Sequence, residues 1–546
     1  MKRNRQTKYI FWLFLVSTSI FQLNAQTGND ENYLSGSFNA NGNAFIRDTA
    51  IGAANTPQYD HQLYGAEAWL GLNYNRWGFD MGLRFDLFNN SNLLNPQGSY
   101  TAQGIGRWYV KKKIHNLSLA AGYLYDQIGS GIIFRAYEER PLAIDNALYG
   151  VSVGYQITPN WTVKALTGKQ KQQFTTYGSI VRALNTEGFI ADKGGKWTLA
   201  PGIGMVHKTI DDETVDQLVS VLSTYTPQDS IGAKFNNFAF TAYNTLSAGR
   251  FSWYIEGAYK TAEVIFDQFE EKHNWNGTSS LGKFVFRPGN IVYSTVSYAA
   301  KGLGITLEGK RTQDFVVRVN PFVTLNRGMI NFLPPMSRNN TYRLTARYNP
   351  ATQELGEKAV QLDVQYNHKR KWWAGFNFSN ITNLSDDQLY REIHTELGMK
   401  KKKWQLLGGV QLQTYNQEIY ENKPGVEIVQ TVTPYAEFLY KFDKKKSLRV
   451  EMQYMDTHQD FGSWVFGLAE FGIAPHWIFT ISDMYNIQPK KTDDLHYYSA
   501  GVVYLHHVNR ISLSYVKQVE GVVCTGGICR LEPAFNGVKT TVSTTF

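Results

Sequence analysis

The chain ends on VKTTVSTTF, residues 538–546. In an extended strand successive side chains point to opposite faces. Val538, Thr540, Val542, Thr544 and Phe546 therefore share one face, and Lys539, Thr541, Ser543 and Thr545 the other. The first suits hydrocarbon, the second water. The opposite end of the chain says where such a strand has to work. Lys2, Arg3, Arg5 and Lys8 precede an apolar stretch at residues 9–21, and Leu23, Asn24 and Ala25 follow it. That order reads as the n-region, h-region and cleavage site of a secretory signal peptide. Cleavage is expected between Ala25 and Gln26, which makes residues 1–25 the signal peptide and 26–546 the exported chain. No Cys follows the site, so a lipid anchor is not indicated.

The apolar run is too short for the roughly 20 residues of a transmembrane helix. With a mean hydropathy of −0.34 and no later run of that kind, helical spans are excluded. A soluble exported β protein and a membrane barrel remain. Composition excludes other classes. Of the formal charge of +9, four units come from Lys2, Arg3, Arg5 and Lys8, leaving +5 on the mature chain, too little for a nucleic-acid binder of 546 residues. Proline is scarce at 16, and the 47 glycines are scattered, so no linker divides the chain. The anomaly is aromatic: 33 Tyr, 32 Phe and 13 Trp, 14% of the chain.

Alternation decides between the two β classes. Phe79, Met81, Leu83, Phe85 and Leu87 interleave with Asp80, Gly82, Arg84 and Asp86. Leu448, Val450, Met452 and Tyr454 interleave with Arg449, Glu451 and Gln453. Phe251, Trp253, Ile255 and Tyr259 lie among Ser252, Glu256 and Lys260. Sandwich strands average five or six residues, whereas these runs reach the ~9–11 that cross a bilayer at a tilt. A chain that finishes such a strand on an aromatic looks like a bacterial outer-membrane β-barrel at its closing strand.

Short polar turns are expected at residues 75–77, 113–116, 158–160, 193–196, 247–249, 299–302, 368–371, 400–403, 443–446, 474–476 and 506–509, with longer polar segments between them. Short periplasmic turns alternating with long extracellular loops are the barrel pattern. One strand on each side of every turn, a first at 33–47 and a last ending at Phe546 give an all-β, antiparallel transmembrane barrel of about 24 strands. Residues 341–348 could be a further strand, which leaves 22 or 26 open.

The segment DQIGSGIIFRAYEERPLAIDNALYG, residues 126–150, together with ATQELGE (351–357) and CRLEPAFNG (529–537), resembles an uncharacterised family of Bacteroidetes outer-membrane barrel proteins. The resemblance spans the mature chain. It implies the fold and an outer-membrane address, and carries no catalytic role to any residue.

Within 126–150, Arg135, Glu138, Glu139, Arg140 and Asp145 crowd beside Gly129 and Gly131. Two placements are open: a solvated extracellular loop whose ion pairs are worth little, or a loop folded into the barrel mouth that sets pore size and ion preference. Lumen-side charges also recur at Asp80, Arg84, Asp86, Glu256, Lys260, Glu308, Lys310, Arg449 and Glu451, because Arg or Lys facing lipid costs about 2–4 kcal/mol at the midplane. A bore of this size is too wide for side chains alone to fill. With strand pattern starting near residue 33, an N-terminal plug of the TonB-dependent kind is not expected. Inserted segments at 126–146, 211–231, 262–290 and 314–358 are the candidates to fill the bore. Val215, Leu218, Val219 and Leu222 make a short amphipathic helix in the second of these, expected to pack within its own loop, with the barrel wall or another protein as the alternative partners.

Cys524 and Cys529 are expected to form a disulfide, since the exported compartment is oxidising. No enzymatic motif stands in the chain: no Gly-x-Ser-x-Gly, His-Glu-x-x-His or P-loop. No cofactor is expected. The reading favours a porin-like channel or passive transporter with its lumen partly occupied by loops. A scaffold in a larger outer-membrane complex is the alternative, and an enzyme a distant one. Expected partners are outer-membrane lipid, the barrel-assembly machinery through the C-terminal strand, and other outer-membrane proteins.

Overall fold

The computed structural model describes residues 33–324, 326–488, 495–525 and 528–546, without the side chains of 522–525, 528 and 529. The expected signal peptide lies outside the described residues. The main sheet holds 25 strands, of which Ile190–Ala191 continues Thr175–Gly188 along the same neighbour, Trp197–Thr209, so the wall has 24. Each strand pairs antiparallel with its neighbours in sequence. The first, Tyr33–Phe45, pairs with the last, Phe535–Thr545, in register from Ser37↔Thr545 to Phe45↔Gly537. Two further hydrogen bonds extend the seam, Gly36 N to Phe546 O at 2.7 Å and Phe546 N to Gly36 O at 3.0 Å. Closure leaves no strand edge unpaired in lipid.

The two faces fall as the alternation predicts. Phe85, Leu87, Phe251, Trp253, Tyr259 and Met452 are exposed on the outer surface, while Arg84, Asp86, Glu256, Lys260 and Glu451 are buried within. Period two puts every second residue against lipid, and the polar set has only the bore to enter. All eleven expected turns join consecutive strands at one end of the barrel, beginning with Trp77 and Gly78 between Tyr64–Arg76 and Phe79–Ser91. At the other end most connections are long, but Gln173 and Phe174 alone join Trp161–Gln172 to Thr175–Gly188.

Three expectations change. Residues 341–348 form no strand, which settles the count at 24. The segment 262–290 does not enter the bore. Its alternation continues in Phe251–His273 and Ser279–Ala300, strands of 23 and 22 residues that pair for most of their length. At about 3.3 Å per residue, a hairpin twice as long as a membrane crossing stands beyond the barrel. The segment 211–231 packs against that hairpin and leaves the bore free. Its helix, Asp212–Leu222, buries Leu218 and Leu222 with Tyr225 against Val264 and Phe284. Asp211 caps it, accepting from Thr214 N at 3.1 Å. The helix thus finds its partner on a neighbouring element, because a stripe of so few side chains cannot bury itself within its own loop.

Candidate functional site

The bore is filled by two inserted segments, residues 125–147 and 314–355. The first pairs with itself only in two short hairpins, Asp126–Ile128 with Phe134–Ala136 and Glu138–Glu139 with Ile144–Asp145, and the second only in a single bridge of Arg318 with Met329, so most of their backbone polar groups need partners beyond a ladder of their own. They satisfy one another first: Arg135 N donates to Ile330 O and Phe332 N to Gly131 O, each at 2.9 Å. The Asn146 amide bridges them, donating to the carbonyls of Arg135 and Met329 at 3.1 Å each. Apolar side chains then close the centre. Ile128, Ile132, Ile133 and Phe134 of the first segment and Phe315, Val319 and Leu344 of the second are at most 1% exposed. They join one core with wall residues such as Val181, Val206, Ile291 and Ile381.

Wall side chains supply the rest. Gln170 donates to Met329 O at 2.5 Å, Ser179 to Val319 O at 2.6 Å, Lys208 to Arg318 O at 2.7 Å, Gln411 to Thr345 O at 3.1 Å and Gln413 to Tyr348 O at 2.7 Å. Gln453 accepts from Leu344 N at 2.7 Å. Lys310, ion-paired with Glu357 at 2.6 Å, also donates to Pro334 O. Of these anchors only Lys310, and Gln453 as part of an alternation, were named from the sequence. Their signal was lumen parity, seen in pairs such as Gln411 and Gln413, but a neutral amide in a strand stands out less than a charge.

Most of the charged residues named from the sequence fall into three separate places; apart from them, Lys260 pairs with Glu263 at 3.0 Å, Glu308 accepts from Tyr293 at 2.8 Å and Asp80 from Tyr109 at 3.3 Å. Arg84 is the hub of the first. Its guanidinium meets Asp86 at 2.6 Å, Glu138 at 2.7 Å and Asp145 at 2.8 Å, and Arg140 reaches Glu138 at 2.8 Å. Lys171 also pairs with Asp145, whose other oxygen accepts from Tyr125 at 2.8 Å. Burial would raise the Asp145 carboxyl, but Lys171 and Arg84 hold it below the usual carboxylate range. Glu256 forms the second place. It accepts from Ser130 N at 2.9 Å and Oγ at 2.5 Å, Thr241 at 2.8 Å and Tyr254 at 2.6 Å, and so grips the tip of the 125–147 segment. The third lies on the far wall, where Arg449 meets Glu451 at 3.0 Å, Glu437 at 3.2 Å and Glu470 at 3.4 Å. The two remaining loop charges are not in these networks. Arg135 lies 4.5 Å from the Tyr137 ring and 4.2 Å from that of Phe332, and Glu139 is exposed with no ion pair among the described residues. The solvated-loop placement of 126–150 is therefore replaced by the folded-in one, and its charges fasten a plug.

Two features of this plug are left unevenly paired. Asn331 is fully buried, yet neither its amide nitrogen nor its oxygen has a hydrogen-bond partner among the described residues, a defect costing about 1–3 kcal/mol. Arg343 stays exposed to solvent although protein surrounds it, and that enclosure together with Arg347 pushes its pKa down. Arg343, Arg530 and Lys539 lie close enough to act on one another electrostatically, with Glu67 and Glu532 as the neighbouring acids. Among the described residues no three His, Cys, Asp or Glu side chains converge as a metal site. The last connection forms a hairpin, Gly521–Thr525 with Ile528–Glu532, that sets Cys524 opposite Cys529 in register; their side chains, and with them the disulfide, lie outside the described residues.

A closed 24-stranded membrane barrel with an internally folded plug is the class that fold and site define. The chain belongs to the Family of unknown function (DUF6029), whose model matches residues 6–546. No curated protein matches it. Among solved structures it is similar to the P pilus usher (PapC) translocation pore, at 9% identity and a TM-score of 0.47, over 94% of this chain and 99% of that one. It is also similar to the siderophore receptor PirA from Pseudomonas aeruginosa, at 8% identity and a TM-score of 0.38 over 94% and 80%. A third likeness is to a Rhodopseudomonas blastica porin, at 8% and 0.27 over 59% and 96%.

Proposed function

We propose that the protein is an outer-membrane channel or passive transporter whose resting state is closed, with residues 314–355 as the gate and 125–147 as its seat. One observation carries this reading: the gate is irregular backbone tied to the wall by side-chain hydrogen bonds rather than by a ladder. Each such bond is worth about 0.5–1.5 kcal/mol net, so the ties release one by one where a strand would have to unzip. The unsatisfied Asn331 lowers the cost of opening further. An outer-membrane address accords with the apolar outer face and with closure of the sheet.

The gate can be removed without straining the wall. Asp314 N donates to Leu355 O at 2.8 Å and Phe315 N to Glu354 O at 2.9 Å, so the segment leaves and re-enters the barrel at adjacent points. Replacing residues 317–352 with a short Gly-Ser linker should turn a nearly silent protein into a large, steady conductance in planar bilayers. A folded variant that stays silent overturns the reading.

A second reading, a scaffold in a larger complex, draws on the projecting hairpin. Trp275 near its tip and Leu281 on its returning strand are 71% and 74% exposed, large apolar side chains well outside the membrane-crossing stretch. A native pull-down that recovers this chain alone would count against it.

A further inference from the structure

Three consecutive turns at the short-turn end carry eleven cations: Lys369, Arg370 and Lys371; Lys400 to Lys403; and Lys441 with Lys444 to Lys446. All eleven are exposed, and none forms an ion pair with a described residue. The one acid among them, Asp443, is turned inward on its own backbone, accepting from Lys445 N at 2.6 Å and Lys446 N at 2.8 Å. The turns lie side by side, because the strand ladder runs to their ends: Lys400 N donates to Lys371 O at 2.8 Å and Lys441 N to Lys403 O at 2.7 Å. With strands about 4.8 Å apart, neighbouring turns sit roughly 10 Å from one another. That is close to the Debye length at physiological salt, so their potentials add.

Two independent features give the patch a direction. Immediately toward the membrane, the outer face carries an aromatic girdle. Trp372 stacks on His368, Trp404 lies 6.5 Å from Phe438, and Phe442 touches Tyr440 and Phe471 at 5.1 and 6.3 Å between ring centroids. Such rings settle at headgroup depth, which sets the lysines among lipid phosphates. At the opposite end of the same strands the loops are acidic, with Asp386, Asp387, Glu418, Glu421, Glu427, Asp456 and Asp460. Other short turns, such as Pro159–Asn160 and His507–Val508, have no cation. Short turns elsewhere in the rim carry fewer cations each, as at Lys111 to Lys113, Lys193 and Lys196, and Lys301, and the eleven are the densest run, on one arc and one end.

We infer that this arc is a binding surface for anionic phospholipid headgroups in the leaflet at the short-turn rim, and that it gives the barrel a lipid-specific side. A lysine brought to an anionic surface strengthens binding roughly fivefold, so several acting together separate anionic from zwitterionic lipid clearly.

The test is lipid retention by the purified full chain, measured by native mass spectrometry with phosphatidylglycerol and phosphatidylcholine offered at equal concentration. Phosphatidylglycerol should be retained at least tenfold over phosphatidylcholine, and the preference should vanish when Lys400 to Lys403 and Lys444 to Lys446 are all changed to Gln. Changing Lys193, Lys196 and Lys301 to Gln, on turns elsewhere in the rim, should leave it intact. Heat-modifiable migration on a gel shows that each variant is folded. If the seven-site variant does not fold, raising NaCl from 0.05 to 0.5 M with the unaltered protein should abolish the preference. Equal retention of the two lipids, a preference that survives neutralisation or salt, or equal loss in the control variant overturns the inference. So does tight binding of soluble polyglutamate without lipid selectivity, which would make the arc a protein-docking site.

Discussion

At the scale of single residues, the last one of the chain closes the seam by lying across a glycine. A Cβ built on Gly36 would come within 2.3 Å of the Phe546 ring, while Gly71 O at 3.1 Å blocks retreat to the other side. Gly36→Val should therefore displace the ring and destabilise the barrel by about 1–3 kcal/mol, the usual range for overpacking. The check is a double-mutant cycle read by the heat-modifiability midpoint: with Phe546→Ala already present, Gly36→Val should cost much less. Asp145 makes a different residue-scale prediction. Its carboxyl titrates below the unfolded value of about 3.9, so its contribution is complete above that pH and is lost as pH falls through the depressed folded value. Amide exchange in residues 126–146, taken relative to the intrinsic rate at each pH, should be the same at pH 7 and pH 5 and accelerate only below about pH 4. Asp145→Asn, which strips Lys171 and Arg84 of a partner, should accelerate it already at pH 7. Loosening of the unaltered protein at pH 5 would contradict this.

At the scale of elements, the strands and their turns were legible, while of the plug only the segments that could form it were legible, not their fold, for one physical reason. A strand with lipid on one side and water on the other must alternate, so Phe79–Ser91 announces itself; a segment enclosed by the bore on every side has no preferred period. Residues 314–355 accordingly showed by their length and polarity that they could fill the bore, but of their internal structure left only the false hint of a strand at 341–348. The projecting hairpin misled in the opposite sense, since alternation persists beyond the membrane and nothing in 262–290 marks where lipid stops. Lumen charges were legible by parity. Which of them meet was not, because Arg84 and Glu138 are 54 residues apart and joined only by the fold. The helix Asp212–Leu222 was visible through its stripe, and it tests how elements outside the membrane hold together. Asp211→Ala removes the cap, with an expected loss of about 1 kcal/mol. That loss should appear as faster exchange in residues 212–222 and in the hairpin face they cover, with no change in 125–147. Faster exchange in the plug as well would mean that the outer elements and the gate form one cooperative unit.

At the scale of the whole molecule, barrel width creates a problem that the chain solves with its own loops. Twenty-four strands enclose more space than their side chains fill, and where the inserted segments meet the wall the charges are uneven: Arg343, Arg530 and Lys539 against Glu67 and Glu532. On the proposed reading of the protein as a closed channel, ions that leak past this cluster meet an excess of positive charge in a narrow, protein-walled space, where unpaired charges are poorly screened. The residual conductance of the unaltered protein should therefore prefer anions. Lys539 is the residue to alter, since it belongs to the last wall strand and leaves the gate itself untouched. Its ammonium sits 4.3 Å from the Phe535 ring and forms no ion pair among the described residues. Lys539→Glu moves the local balance by two charges and should lower the chloride-to-potassium permeability ratio by about tenfold or reverse it, as charge-lined constrictions do. Reversal potentials across a KCl gradient measure that ratio directly. A ratio that stays at the unaltered value after the charge is inverted would mean that ions cross the closed barrel by another route.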